Sequence, residues 1–223
     1  MRAHAAGLVH DQLMASRAQA RAEEMISCHG FLGVPVETFA EAGRRQLDAL
    51  LEEDLRPESR VLDIGCGCLR AAYWLIHYLD PGCYCGIEPA RRRVEHGLRY
   101  LFTPEEVRRK QPWFDANPHF DPSVFGAPFE FFLAGSIWTH ASKRQLAAML
   151  DSFLRGSTSA AVFLTSYLAA VSAEDDYQGD AWVGTSHESD TPGVIRHSLA
   201  WIAEQCRRRA LRVEELPAPA FDG

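Results

Sequence analysis

The sequence predicts an α/β fold: a doubly wound, mostly parallel sheet with helices on both faces. Three observations carry the prediction. A short apolar strand, Arg60–Ile64, runs into the tight turn Gly65–Cys68 and then an apolar helix, Leu69–Leu79. A second strand, Tyr84–Glu88, follows Asp80-Pro81-Gly82, and such a crossover forces parallel strands joined in the right-handed sense. The alternation then recurs, with strand Phe129–Ala134, helix Lys143–Leu154 and buried strand Ala160–Tyr167.

The remaining elements fill in around this frame. Residues 5–26 are rich in Ala and other strong helix formers. Cys28–Val36 holds two glycines and a proline and reads as a loop. A helical pattern covers Glu37 to about Leu55, with Phe39, Gly43, Leu47, Leu50 and Leu51 on one face, until Pro57 breaks it. These N-terminal helices, residues 1–55, precede a Rossmann-like core, residues 56–216, and their amphipathicity fits a helical cap or a dimer interface. The helix Ala90–Lys110 is interrupted at Thr103-Pro104, and residues 111–128 are irregular with a short strand near His119–Phe125. Residues 171–193 form a long polar loop. A helix over Val194–Ala210 and a last strand, Leu211–Leu216, close the core. The tail, residues 217–223, is too short and proline-rich for a central strand.

Length and composition set outer bounds. The 223 residues suit one domain, and 47% apolar with 24% charged residues is ordinary for a soluble protein. The net charge of −7 argues against a nucleic-acid partner. No apolar run reaches 18 residues, so no membrane span is expected. Six cysteines without a secretory leader read as reduced thiols in a cytoplasmic protein. The Cys66/Cys68 and Cys83/Cys85 pairs are too closely spaced for the usual zinc pattern, and no metal is expected.

The chemistry sits at the turn. Gly65 and Gly67 allow tight backbone angles and close approach of a ligand, and ligands of open parallel sheets bind at this carboxyl edge. The third glycine of a dinucleotide fingerprint is replaced by Arg70, which argues against a clasped pyrophosphate, and no Gly-Lys-Ser/Thr follows. Asp63, at the first strand's end, favours a cationic ligand. Glu88, 25 residues further, ends the second strand, where an acid can accept both hydroxyls of a ribose. Together these residues describe a site for an unphosphorylated adenosine bearing a positive group.

At these residues the sequence resembles the class I S-adenosylmethionine (SAM)-dependent methyltransferases. Val61–Gly67 is similar to their motif I, Tyr84–Pro89 to motif II, and Phe129–His140 to the fourth-strand segment. Gly43–Leu47, Leu69-Arg70 and Asp80–Tyr84 point to a bacterial branch acting on small molecules. The resemblance implies that Asp63 and Gly65, Cys66 and Gly67 hold the methionine end of SAM. It implies that Glu88 binds the ribose, Ile87 packs near the adenine, Asp121 bonds the adenine amine, and Ser136, within Ala134–Ile137, lies beside the sulfonium. The pattern departs at Cys68, where a small residue is usual, and at Glu130, where Asp is usual.

His140 is the candidate general base, because it follows the fourth strand at the ligand edge and an imidazole can take up a proton. His29, His187 and His197 are weaker alternatives. Trp138, Tyr177 and Trp182 are candidates for an acceptor pocket. Arg91–Arg93, Arg108–Lys110 and Arg207–Arg209 read as solvated helix faces. The expected function is methyl transfer to oxygen or nitrogen of a small molecule, a natural product or sugar. Two alternatives are a non-catalytic SAM-binding protein with a degenerate site and a nucleotide-dependent oxidoreductase.

Overall fold

In the computed structural model, residues 2–30 and 35–216 are described. The expected Cys28–Val36 loop lies partly outside them, and the tail 217–223 wholly so. Five parallel strands form one sheet: β1 (Val61–Ile64), β2 (Tyr84–Ile87), β3 (Trp113–Asp115), β4 (Phe129–Ala134) and β5 (Ser157–Thr165), in the order β3-β2-β1-β4-β5. The order reverses beside β1, so a crevice opens between the carboxyl ends of β1 and β4.

Both faces of the sheet are covered, which explains why β1 and β2 are buried at every residue. Successive side chains of a strand point to opposite faces. Val61, Phe131 and Leu133 pack under α1 (Arg2–His29), α2 (Phe39–Glu52) and α3 (Arg70–Tyr78). Leu62, Ile64, Phe132 and Ala134 meet α6 (Lys143–Gly156) and α7 (Leu199–Arg208) on the other face.

The N-terminal cap is fitted closely. In α1, Ala18, Ala22 and Met25 recur at helical spacing and are fully buried. In α2, Gly43 lies against α3 so tightly that a Cβ there would come within 2.4 Å of the Arg70 carbonyl oxygen. The Trp74 indole N–H donates to the Ala40 carbonyl at 3.0 Å, fixing α3 to α2.

The expected break in the long helix is present. Thr103 caps the second piece through a reciprocal pair with Glu106, and Pro104 occupies the first turn, so α4 (Arg91–Leu101) and α5 (Pro104–Lys110) are separate helices.

Four expectations are corrected. The short strand falls at Trp113–Asp115, not near His119–Phe125. There Pro122 lacks a backbone donor and the Asp121 carboxylate caps a 3-10 turn, Pro122–Phe125. Leu211–Leu216 forms no strand: the Leu211 N–H closes α7 onto the Cys206 carbonyl, and Arg212, Glu214 and Glu215 are exposed. Strand β5 is not fully buried. Among the described residues it pairs on one side only, and Ser159 and Ala160 are exposed. Helix α7 begins at Leu199, because the preceding residues are tied to the 171–193 loop and to Thr139.

Glu106 also fastens the cap to the core. It accepts from Arg17 of α1 at 2.9 Å and faces His77 of α3 at 3.5 Å. Burial pushes its carboxyl up, but the Thr103 N–H and hydroxyl and the Arg17 guanidinium outweigh this and hold it at about 2. A depressed carboxyl stabilises the fold above the ordinary value of 4.5, and that contribution is lost as pH falls towards 2. Glu106→Gln should therefore be less stable than wild type at neutral pH in urea unfolding. The difference should narrow from pH 4.5 down to 2.

Candidate active site

The turn after β1 is shaped by backbone strain. Gly65 and Gly67 take φ of 72° and 55°, and Leu69 takes 69°, an uncommon conformation for a bulky residue. Leu69 is held there because its side chain is fully buried, against Gly97 of α4. A Cβ on Gly65 would lie 2.1 Å from Ile137 Cδ1. One on Gly67 would meet nothing nearer than 3.8 Å, so this backbone is open to the cleft.

The turn is bonded to the end of β2. The Gly65 and Cys66 N–H groups donate to the Ile87 carbonyl at 2.8 and 3.2 Å. The Gly67 N–H donates to Glu88 Oε2 at 3.1 Å, while Glu88 Oε1 accepts from the Ala90 N–H at 2.8 Å. Glu88 is buried, at 5% exposure, and Asp63 is buried too, at 3%. The Tyr84 hydroxyl donates to Asp63 Oδ2 at 2.8 Å. Burial, then the Asp63 charge, pushes the Tyr84 phenol far above its ordinary value, so it remains a donor. Burial and the two carboxylates likewise keep Cys66 a protonated thiol, and burial pushes Cys68 up to about 11.

At the end of β4, Ser136 has φ of 56° and its N–H donates to the Ser166 hydroxyl at 2.7 Å. His140 follows one turn later. Its Nδ1 lies 2.7 Å from the Val183 carbonyl oxygen, and the Val183 N–H donates back to the His140 carbonyl at 3.0 Å. A carbonyl only accepts, so the neutral ring carries its proton on Nδ1 and keeps a lone pair on Nε2. Trp182 stacks on the ring at 5.8 Å. Gly184 permits this contact, since a Cβ there would come within 2.4 Å of Nδ1.

Two clefts flank the turn. One brings together Asp63, Gly65, Cys66, Gly67, Ser136 and His140. The other lies across Glu88 and is walled by Val94, Phe114 and Asp115. Ile87 is buried beneath the turn and lines neither cleft, and Asp121 is engaged as the helix cap by Ser123.

Several residues lie elsewhere. Trp138 is in the core, and the Tyr177 hydroxyl bonds the Ala181 carbonyl. His29 stacks on His96, His187 faces Glu188, and His197 is fully buried against the Ala141 carbonyl. Trp182 does line the cleft that holds Asp63 and His140.

Sequence reasoning missed five residues. Gln46 of α2 reaches the cleft and packs on Gly135, and Arg70 approaches the Ser136 hydroxyl at 3.5 Å. Arg93, expected on a solvated face, lines the cleft and donates to the Thr185 carbonyl at 3.0 Å. Tyr84 and Asp115 complete the group. The signal for Asp115 was an acid ending the apolar pair Trp113-Phe114. Among the described residues, no group of three His, Cys, Asp or Glu could hold a metal ion, and no helix is long and apolar enough to cross a membrane.

No family model matches the sequence, and no curated protein matches it. Solved structures do. DesVI of Streptomyces venezuelae superposes with a TM-score of 0.58 at 17% identity, over 81% of this chain and 88% of that one. DhpI, in a complex with SAM and HEP, gives 0.56 at 15% identity, over 92% and 89%. The magnesium protoporphyrin IX methyltransferase ChlM of Synechocystis PCC 6803, with bound S-adenosylhomocysteine (SAH), gives 0.55 at 14%, over 93% and 90%. The chain shares the Rossmann-like α/β fold of these structures. At these identities the likeness concerns the fold, and the chemistry rests on the site.

Tyr84→Phe removes one donor from a buried carboxylate. The variant should lose about 1–3 kcal/mol of stability, read as a lower urea midpoint at unchanged slope.

Proposed function

We propose that this chain transfers the methyl group of SAM to a small-molecule acceptor. The observation that carries the reading is the pair of buried carboxylates, Asp63 and Glu88, at the tips of adjacent parallel strands, with a cleft on each side of the turn between them. Such a layout suits an elongated ligand with an amino-acid end, a ribose and a base. The open backbone at Gly67 fits a ligand crossing the turn.

In this reading Asp63 pairs with the ammonium of the methionine end, and the Gly65–Gly67 backbone lies along it. Glu88 accepts from the ribose hydroxyls, with Ile87 packing behind the base. Asp115 stands at the wall where an adenine amine would need an acceptor. Its Oδ1 is already fixed by the Asn117 N–H and side-chain amide at 2.8 and 2.7 Å. Asp121, expected at that amine, is spent on its cap. Ser136 flanks the donor end of the cleft it shares with Asp63.

SAM, when bound, supplies a methyl carbon activated by the sulfonium. The protein's part is orientation, which can contribute roughly 7–11 kcal/mol, and proton removal. His140 Nε2 is the basic nitrogen available in the cleft, and the Val183 clamp preserves that tautomer. The DhpI and ChlM complexes, with SAM and SAH, support the choice of ligand through the shared fold. The six free thiols suit a cytoplasmic setting.

Titration calorimetry with SAH tests the cofactor. Wild type should bind it, and NAD should not compete. Glu88→Ala should weaken binding about 10–100-fold, equivalent to about 1.4–2.8 kcal/mol. Wild-type protein that fails to bind SAH rules the reading out. His140→Ala should keep SAH affinity within about twofold while lowering turnover about 10²–10⁴-fold; undiminished turnover removes the base assignment.

A further inference from the structure

We propose that the acceptor is an acid: a molecule presenting a carboxylate or an acidic hydroxyl in the cleft lined by Arg93, His140 and Trp182. This rests on the methyl-donor reading and names the acceptor class for the same cleft. The first observation is the charge of the cleft. Among the described residues its lining carries one carboxylate, Asp63, and two guanidiniums, Arg70 and Arg93. The donor adds an ammonium, a carboxylate and a sulfonium, so it too carries one more positive than negative charge. The acceptor therefore enters a cleft with a positive excess from both protein and donor. A protonated amine is repelled there. The one carboxylate that could pair with it, Asp63, is claimed by the donor's ammonium and held by Tyr84. An oxyanion is attracted, more strongly because the cleft is partly desolvated.

The second observation is a donor without an acceptor. The Trp182 indole N–H is buried, and among the described residues nothing accepts from it. Buried donors are almost always satisfied, and Trp182 lines this cleft, so a ligand oxygen reaching the indole N–H would find a donor with no competing acceptor among the described residues. Trp182 stacks on His140, so the indole is held beside the basic ring. Arg93 stands on the same cleft, steered by one N–H bond to Thr185, and its guanidinium has further donors for an oxyanion.

The chemistry closes. An oxygen lone pair of the acceptor forms the new O–C bond as the C–S bond breaks, and the electron pair of that bond stays on sulfur, leaving a neutral thioether. A carboxylate has no proton to lose, so the His140→Ala loss of turnover applies to a hydroxyl acceptor alone. A hydroxyl gives its proton to His140 Nε2. The products are a methyl ester or a methyl ether, together with SAH.

The test is ligand-observed NMR titration of SAH-loaded protein with benzoate, 4-hydroxybenzoate and benzylamine. The two acids should bind at least about tenfold more tightly than the amine. Arg93→Gln should abolish that preference, and Arg93→Lys, which keeps the charge, should retain most of it. Benzylamine binding as tightly as the acids, no binding of either acid, or an unchanged preference in Arg93→Gln would each overturn the proposal. Failure of the wild-type protein to load with SAH would instead overturn the donor reading beneath it.

Discussion

The site depends on the register of two buried strands. Asp63 pairs across from Gly86 and Ile64 from Ile87, so parallel β1 and β2 end together and their acids come out at one edge. The Gly67 N–H then bonds Glu88, which ties the glycine turn to the neighbouring strand. A slip of one residue would send Asp63 to the opposite face of the sheet, because strand side chains alternate. Complete burial of both strands makes such a slip costly. The hydrophobic core thus sets the geometry of the polar site above it.

Close contacts at small residues hold the surrounding helices against that edge. Gly43 lets α2 meet α3, and Gly97 lets α4 meet the turn, where a Cβ would come within 2.7 Å of the Cys68 carbonyl oxygen. The left-handed Leu69 is the strained link between them. It persists because its side chain is enclosed on all sides, so packing energy offsets a locally unfavourable backbone. The cap serves the site as well as the core, since Gln46 reaches the cleft floor from α2.

The central βαβ unit was legible because its signals are local. A four-residue apolar strand, two glycines and an apolar helix leave little choice of conformation. The break at Thr103-Pro104 was legible for the same reason. What escaped was set by distant contacts. The strand Trp113–Asp115 carries no alternation and exists because β2 offers an edge to pair with. Leu211–Leu216 alternates as a strand should, yet among the described residues it pairs with none. In the site, the residues at the turn were readable, while Arg93, Gln46 and Asp115 reach the clefts from helices and a strand whose docking no local pattern encodes. The clamp of Val183 on His140 joins residues 43 positions apart and was likewise invisible in sequence.

Cys66 carries one more consequence. Any pocket that stores a sulfonium stores an alkylating agent, and a thiolate within it would consume its own reagent and scar the turn. Enclosure beside two carboxylates keeps this sulfur in its inert, hydrogen-bearing form. Burial first, and the two carboxylates after it, therefore keep a cysteine between the two glycines from attacking a bound sulfonium.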